Sequence, residues 1–385
     1  MDFIPYGRQW IDAEDHAAVS RALDDPMLTQ GETIDRFEEA IASKVGARYC
    51  VAVSSATAAL HLAVQAVSDR SSLRQTVGLT TPNSFVATSN ALLYSRIEPR
   101  FADIDVATGN LDPATLTDAD LDGVSLFMPV HFAGLPVEVS HIADRLGEEV
   151  GIIEDASHAI GSSYLDGSPV GSCKHSLATV FSFHPVKTMT TGEGGAITTN
   201  DRQVYDALIR LRSHGIERNP DRMRHEHEGP WYYEMQELGF NYRLTGLQAA
   251  LGLSQLTKLD RFRERRSEIV RAYNDAFRDI EWLETPAASF RDNVSYHLYV
   301  VRIDFSAIGM DRADVMARLK GQGIGTQVHY IPIYRQPYYR DNLPADFANY
   351  PNMERFYERC LSIPLYPAMS EADVGRVIDA VKALA

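Results

Sequence analysis

The stretch Phe181-Ser-Phe-His-Pro-Val-Lys187-Thr-Met-Thr-Thr-Gly-Glu-Gly-Gly-Ala-Ile-Thr-Thr-Asn200 sets one lysine between an apolar run and a glycine-rich turn. Residues 178–183 are β-branched and aromatic, and Gly194-Gly195-Ala-Ile-Thr-Thr reads as a second strand, so the segment between them is a strand-to-strand connection. Pro185 has no N–H to give to a ladder and stops the first strand, while Gly192, Gly194 and Gly195 accept backbone dihedrals that other residues resist. Such a turn can hold Lys187 in one place beside a packed sheet. A lysine in a polar loop is ordinarily a solvated ammonium; these flanks make this one a candidate covalent anchor for a cofactor.

Working outward, short apolar runs recur near residues 49–53, 76–80, 99–104, 124–130, 151–154, 178–183 and 195–199, most of them separated by helix-compatible stretches. The pattern predicts an α/β fold with a seven-stranded, mainly parallel sheet covered on both faces. Ligands of such sheets collect outside the carboxyl ends of the strands. The residues just after each run are therefore the ones to inspect.

Three such places stand out. Ser54-Ser55-Ala56-Thr57 follows the first run and opens an apolar helix through Val67, so free N–H groups and hydroxyls meet at a positive helix end that suits a phosphate; a serine N-cap without a ligand is the alternative. Thr81-Pro-Asn-Ser-Phe85 offers an aromatic ring that could stack on a flat heterocycle or could belong to the core. Asp155, in Ile-Ile-Glu154-Asp155-Ala-Ser-His158, ends a buried strand, where a carboxylate is costly unless it is neutralised or spent on capping a helix.

Composition bounds the partners. With 385 residues the chain has room for a large domain and a smaller one. A hydrophobic fraction of 45% and a charged fraction of 23% are those of an ordinary globular protein. The formal net charge of −15 argues against nucleic acid and anionic membrane as partners. Cys50, Cys173 and Cys360 are too few and too scattered for a disulfide framework or a thiolate metal site. The N-terminus lacks a signal-peptide pattern and no 18-residue apolar run occurs, so a cytoplasmic location is expected, with no membrane partner. His225 and His227 have ligand chemistry but lack further ligands at metal-site spacing, so no metal is expected.

Toward the ends, residues 4–11 read as an extended lead and Asp12 as the N-cap of a helix to about residue 24. A second helix, from about Glu32 to Val45, has Ile34, Phe37, Ile41 and Val45 on one stripe. Asn241-Tyr-Arg243 leads into helices reaching about residue 280, and strand-like runs at 294–304 and 325–331 with a helix from Arg312 suggest a small α+β unit. His329-Tyr330-Ile-Pro-Ile-Tyr334-Arg335 combines aromatics with an arginine, suited to a base, sugar or diphosphate and equally to a hinge between domains.

Ser182, His184, Pro185, Lys187 and Gly192-Glu-Gly-Gly195 together resemble the cofactor-lysine segment of the DegT/DnrJ/EryC1/StrS family of sugar aminotransferases, and the likeness extends from Ile4 to Pro367. The resemblance implies the type I fold of pyridoxal 5′-phosphate (PLP) enzymes, like that of aspartate aminotransferase. It divides the chain into a large PLP-binding domain with an N-terminal arm, residues 1–245, and a linking helix with a small C-terminal domain, residues 246–385. Lys187 is then the residue that carries PLP as an imine, and its retention counts against the family's dehydratase branch. Asp155 is the partner of the pyridinium nitrogen, Phe85 covers one ring face, and Ser55, the backbone of Ala56, Thr57 and Ser182 bind the phosphate. His158, where many relatives carry glutamine, orients Asp155 or contacts the ring. Asn241 reaches the phosphate of a neighbouring subunit, which implies a homodimer with shared active sites. Tyr6, Thr29, Gln30, His184, Arg243, His329 and Tyr330 fall on the substrate side.

Within the family, Ile4-Pro-Tyr-Gly-Arg-Gln, Leu28-Thr-Gln-Gly, Ser84-Phe-Val-Ala-Thr, Gly109-Asn-Leu-Asp112 and His329-Tyr-Ile-Pro resemble the enzymes that aminate a sugar for pseudaminic acid. The implied reaction moves an amino group from L-glutamate to the C4 ketone of a UDP-linked 4-keto-6-deoxy-N-acetylhexosamine. Two other readings stand beside it. One is amination of another nucleotide-linked keto sugar, such as a dTDP-sugar at C3 or C4. The other is a non-catalytic regulator or scaffold on the same fold, against which the intact Lys187, Asp155 and Ser55-Ala-Thr57 set argues.

Overall fold

A computed structural model describes residues 2–70, 77–147, 149–225, 228–287, 291–343 and 349–385. The seven apolar runs form one sheet of β1 (Tyr49–Val53), β2 (Val77–Thr80), β3 (Glu98–Phe101), β4 (Val124–Met128), β5 (Gly151–Asp155), β6 (Ala178–Ser182) and β7 (Gly195–Thr199). Its order is β1-β7-β6-β5-β4-β2-β3. Neighbours from β6 to β3 run parallel, and β7 is antiparallel to both β1 and β6. Residue 76, included in the second run from sequence, lies outside the described residues.

Alternation along the strands feeds two cores. In β6, Ala178 and Val180 pack on one face with Ala63 and Val67 of α3 (Ala56–Arg70), Ala91 and Leu92 of α4 (Ala87–Tyr94) and Leu208 of a helix at Arg202–Arg212. Phe181 faces the other way, onto Phe37 and Ile41 of the helix Glu32–Val45 and Ala249 of the helix Gly246–Thr257. The stripe read at Ile34, Phe37, Ile41 and Val45 is the buried stripe of that second helix. Asp12 caps the first, Ala13–Ala22, in a reciprocal box with Asp15. Among the described residues no helix is long and apolar enough to cross a membrane.

After residue 258 a long helix, Leu259–Phe277, buries Leu259 in the large sheet's core and Ile269, Val270, Tyr273 and Phe277 in a second hydrophobic cluster. That cluster lies on a three-stranded antiparallel sheet of β10 (Leu283–Glu284), β11 (Tyr299–Ile303) and β12 (Cys360–Ile363), together with the helices Arg312–Gly321 and Glu371–Lys382. Two short strands, β8 (Ile216–Glu217) and β9 (Glu234–Met235), form a separate ribbon between the two sheets in sequence. The run at 325–331 is not a strand. Within it only Gln327 makes a bridge, to Ser362, and the residue just before it, Ile324, bridges to Ile4. The strand that fills the sheet is β12, four residues squeezed between a helix and Pro364, too short for its alternation to show.

The N-terminal segment ties these parts together. Ile4 pairs with Ile324, the Tyr6 carbonyl accepts the Leu365 N–H at 3.1 Å, and a Cβ on Gly7 would stand 3.5 Å from Val186. The arm thus crosses from the small unit onto the turn that carries Lys187.

Candidate active site

Sheet register collects the chemistry at one edge. Val53 of β1 pairs with Gly195, Gly195 with Ser182, and Val180 with Asp155, so four strands deliver their key residues side by side. The first two N–H groups of α3, on Ala56 and Thr57, have no intrahelical partner. Ser55 closes the next two, its Oγ accepting the Ala58 N–H at 3.1 Å and its carbonyl the Ala59 N–H at 3.0 Å. A Cβ at Gly195 would stand 2.7 Å from the Ala56 nitrogen, so only glycine lets β7 lie this close to the helix end. The result is a cradle of two free N–H groups in reach of the sheet, beside the buried Ser182 hydroxyl.

Asp155 is 4% exposed, and its carboxylate accepts from the Thr88 hydroxyl at 2.6 Å and the Ser157 N–H at 3.0 Å. Both donors are neutral, which leaves its charge to be met by a cation. Lys187 supplies part of that charge. Its ammonium is pulled down to about 8 by burial, with the Asp155 carboxylate pulling the other way, although the residue as a whole keeps some exposure. The lysine's own turn is closed by its N–H donating to the His184 carbonyl at 2.9 Å, and the His184 side chain points to solvent.

A ladder of rings borders these two groups. His158 Nδ1 accepts the Ala133 N–H at 3.3 Å, and its Nε2 lies 3.1 Å from the Tyr330 hydroxyl. The His329 ring stands 4.8 Å from that of Tyr330 and 5.5 Å from that of Tyr6, and its Nδ1 is 2.7 Å from the Ser362 hydroxyl. Burial pulls His158 well below the usual histidine range, helped by Lys187 and His329, and pulls His329 down to about 3, helped by Lys187. Both rings are neutral near pH 7. Burial and the Asp155 charge push the Tyr330 phenol up. Phe85 is 61% exposed at the mouth after β2, so it is not a core residue.

The remaining sequence candidates lie elsewhere. Thr29 bridges to Thr245, Arg243 to Val53 and Asn241 to Ser213, which sets this group along the outer edge of β1. Gln30 and Arg243 line a cleft of about 430 Å³ with Arg212, His214 and Arg218, and Asn241 is exposed. None of the four, Asn241 included, is packed against Lys187 within one chain. Of the two histidines weighed as metal ligands, His227 lies outside the described residues.

Several residues that shape the site were missed. Thr88 holds Asp155, and its signal was only a hydroxyl one helical turn after the noted Ser84. Asn110, inside the noted Gly109-Asn-Leu-Asp112, donates to the Leu135 carbonyl at 2.9 Å and accepts the Phe132 N–H at 2.8 Å, and so fixes the turn that aims Ala133 at His158. Glu154 faces away from Asp155 into a polar knot with His131 at 2.9 Å, Ser176 at 2.5 Å, Thr179 at 3.2 Å and the Tyr164 hydroxyl. Burial raises its pKa and these donors outweigh it, for a net lowering.

The buried carboxylate, the lysine of lowered pKa and the glycine-spaced N–H cradle fit an aldehyde cofactor with a basic ring nitrogen and a phosphate, and define a PLP-dependent enzyme of fold type I. The sequence profile of the DegT/DnrJ/EryC1/StrS aminotransferase family matches residues 9–382, and the chain belongs to that family, a sugar aminotransferase with PLP as its cofactor. It is 36% identical over 383 residues to the UDP-4-amino-4,6-dideoxy-N-acetyl-β-L-altrosamine transaminase of Campylobacter jejuni, covering 98% of this chain and 96% of that protein. The solved structure of Helicobacter pylori PseC, an aminotransferase involved in the biosynthesis of pseudaminic acid, superposes with a TM-score of 0.89 at 31% identity, covering 100% of this chain and 99% of that one. The PLP form of a sugar aminotransferase from Streptococcus pneumoniae gives 0.87 at 25% identity, covering 99% and 98%.

Proposed function

We propose that the chain transfers an amino group from L-glutamate to the C4 ketone of a UDP-linked 4-keto-6-deoxy-N-acetylhexosamine, in the synthesis of pseudaminic acid or a related surface sugar. The observation that carries this reading is Lys187, with its ammonium lowered to about 8, set against the buried Asp155 at the sheet edge that also offers the α3 cradle. The choice of sugar rests on the likeness to the altrosamine transaminase and to PseC.

When bound, PLP supplies an electron sink for the carbon that bears the amino group. Asp155 keeps the ring nitrogen protonated, and the N–H groups of Ala56 and Thr57, with the Ser55, Thr57 and Ser182 hydroxyls, take the phosphate dianion. Phe85, exposed at the mouth after β2, would cover one ring face. Lys187 Nζ would hold the cofactor through its aldehyde, and its free amine would be the group that takes the Cα proton of glutamate and gives a proton to C4 of the sugar. A pKa near 8 leaves a useful fraction of that amine neutral at pH 7 to 8. Tyr6, His184, His329 and Tyr330 border the substrate.

In this reading residues 1–245 hold the cofactor and 246–385 cover it. Asn241, Thr29, Gln30 and Arg243 serve the site of a second copy in a homodimer, which accords with their exposure or cleft position on the outer edge of β1. Arg218 and Arg243 there suit a diphosphate, in a chain whose net charge is −15, whereas Arg212 is held by Glu38 and the Ala52 carbonyl. The test is the visible absorbance of the purified protein with PLP. A band that bleaches with L-glutamate and returns with the UDP-4-keto sugar is the expected result. Bleaching without return discards the sugar, and no band discards the enzyme reading.

A further inference from the structure

Arg212 closes a ring around the end of the sheet's outer strand. It is the last residue of the helix Arg202–Arg212, and both its side chain and its backbone are bound to the chain that leads into the α3 cradle. The guanidinium pairs with Glu38 of the helix Glu32–Val45, and its Nη1 also donates to the Ala52 carbonyl at 2.8 Å. Glu38 Oε1 accepts the Ala52 N–H at 2.8 Å. An ion pair therefore grips both backbone hydrogen-bonding groups of one residue in β1, the strand that ends the sheet.

The Arg212 carbonyl accepts the Tyr242 N–H at 3.1 Å, and the Tyr242 carbonyl accepts the Ser54 N–H at 2.8 Å. The circuit is thus closed, from guanidinium to Ala52, along the chain to Ser54, across to Tyr242 and back to Arg212. Ser55, Ala56 and Thr57 of the cradle follow directly on Ser54. Asn241, next to Tyr242, bridges to Ser213 and so is fastened to the same circuit. The cradle has little slack: a Cβ at Gly195 would stand 2.7 Å from the Ala56 nitrogen, so a small shift at the end of β1 changes the gap between helix and sheet.

We propose that Arg212 is a positioning residue for the cofactor phosphate, setting the α3 cradle of its own chain through Ala52 and Ser54 and, through Tyr242, the Asn241 that serves a second copy. This rests on the PLP-binding and homodimer reading above. The guanidinium is engaged by Glu38 and Ala52, so Arg212 acts through the backbone and not as a phosphate ligand. One residue then governs phosphate contacts in two subunits. Coupling of this kind is reciprocal, so a bound phosphate should in turn steady the circuit.

The test compares binding of PLP with binding of pyridoxal, which has the ring and aldehyde without the phosphate, and does not require turnover. Arg212→Met combined with Glu38→Gln removes the grip without leaving one buried charge alone, and the amide oxygen can still accept the Ala52 N–H. Affinity for PLP should fall on the order of tenfold or more, the scale on which groups behind a ligand shell act, while affinity for pyridoxal changes little. Arg212→Lys should keep part of the PLP affinity, because a single nitrogen makes both guanidinium contacts. Equal losses for PLP and pyridoxal overturn the proposal, and if Gly195→Ala also loses both equally, the placement of the phosphate falls with it. No visible band with PLP in the unaltered protein overturns the cofactor reading instead. If the variants fail to fold, hydrogen exchange of the unaltered protein decides: PLP should slow exchange of the Ala52 and Tyr242 N–H groups more than pyridoxal does, and equal slowing overturns the proposal.

Discussion

Thr88 Oγ1 lies 2.6 Å from Asp155 Oδ2 and is the only side-chain donor on that buried carboxylate among the described residues. Thr88→Val keeps the shape and removes the donor. It should lower stability by about 1–3 kcal/mol, the cost of an unmet buried acceptor. PLP should also bind more weakly, because the carboxylate is free to turn from the ring nitrogen. Equilibrium unfolding and a PLP titration check both, and unaltered values in both would show that Ser157 alone suffices.

Lys187→Met should lower turnover by ~10²–10⁴ or more, the scale of a lost proton-transfer group, and yet stabilise the protein without PLP. The lysine's folded pKa of about 8 lies below its ordinary 10.5, so between these values the unfolded chain binds more protons and stability rises with pH. Below pH 8 the folded protein bears the full cost of the buried charge. The variant removes it, a gain of up to roughly 3 kcal/mol at pH 7, read as a higher midpoint in denaturant with a flattened pH dependence from 8 to 10.5.

Gly195→Ala drives a methyl against the Ala56 nitrogen. The cost should be about 1–3 kcal/mol of overpacking. The larger effect should fall on the phosphate: affinity for PLP should drop more than affinity for pyridoxal, which lacks it. Equal losses for both would place the phosphate elsewhere.

Glu154→Gln tests the polar knot behind the site. A carboxylate whose folded pKa is lowered contributes stability that is present above its ordinary value near 4.5 and is lost as pH falls through the folded value. The variant should cost about 1–3 kcal/mol at pH 7 and show a shallower decline in acid. Denaturant midpoints from pH 7 down to pH 3 give the comparison.

Much of this was legible in residues because it repeats locally. Strand runs alternate, helix stripes recur every three to four residues, and the glycines around Lys187 announce a turn of unusual dihedrals. Asp155 and the Ser55 cap could be read from their place after a run. Thr88 and Asn110 could not, since each acts on a residue far away in sequence and resembles any polar loop residue until the fold closes. The strand at 360–363 and the failed run at 325–331 have the same cause: the two segments meet where Gln327 bridges to Ser362, and it is 360–363 that joins the small sheet, pairing with Tyr299 and Val301 of β11. Glu154 and Asp155 are adjacent, and only the sheet's pleat assigns one to each face.

The arm over the lysine turn also sets an order of assembly. Ile4 waits for Ile324, and Tyr6 for Leu365, partners that leave the ribosome long after the sheet strands and the Lys187 turn have been made. Contacts of such long sequence separation form late and slowly. The nascent large unit can therefore form the Lys187 turn before the arm docks beside Val186, so making the turn and fastening the arm to it are separable events in the life of one chain.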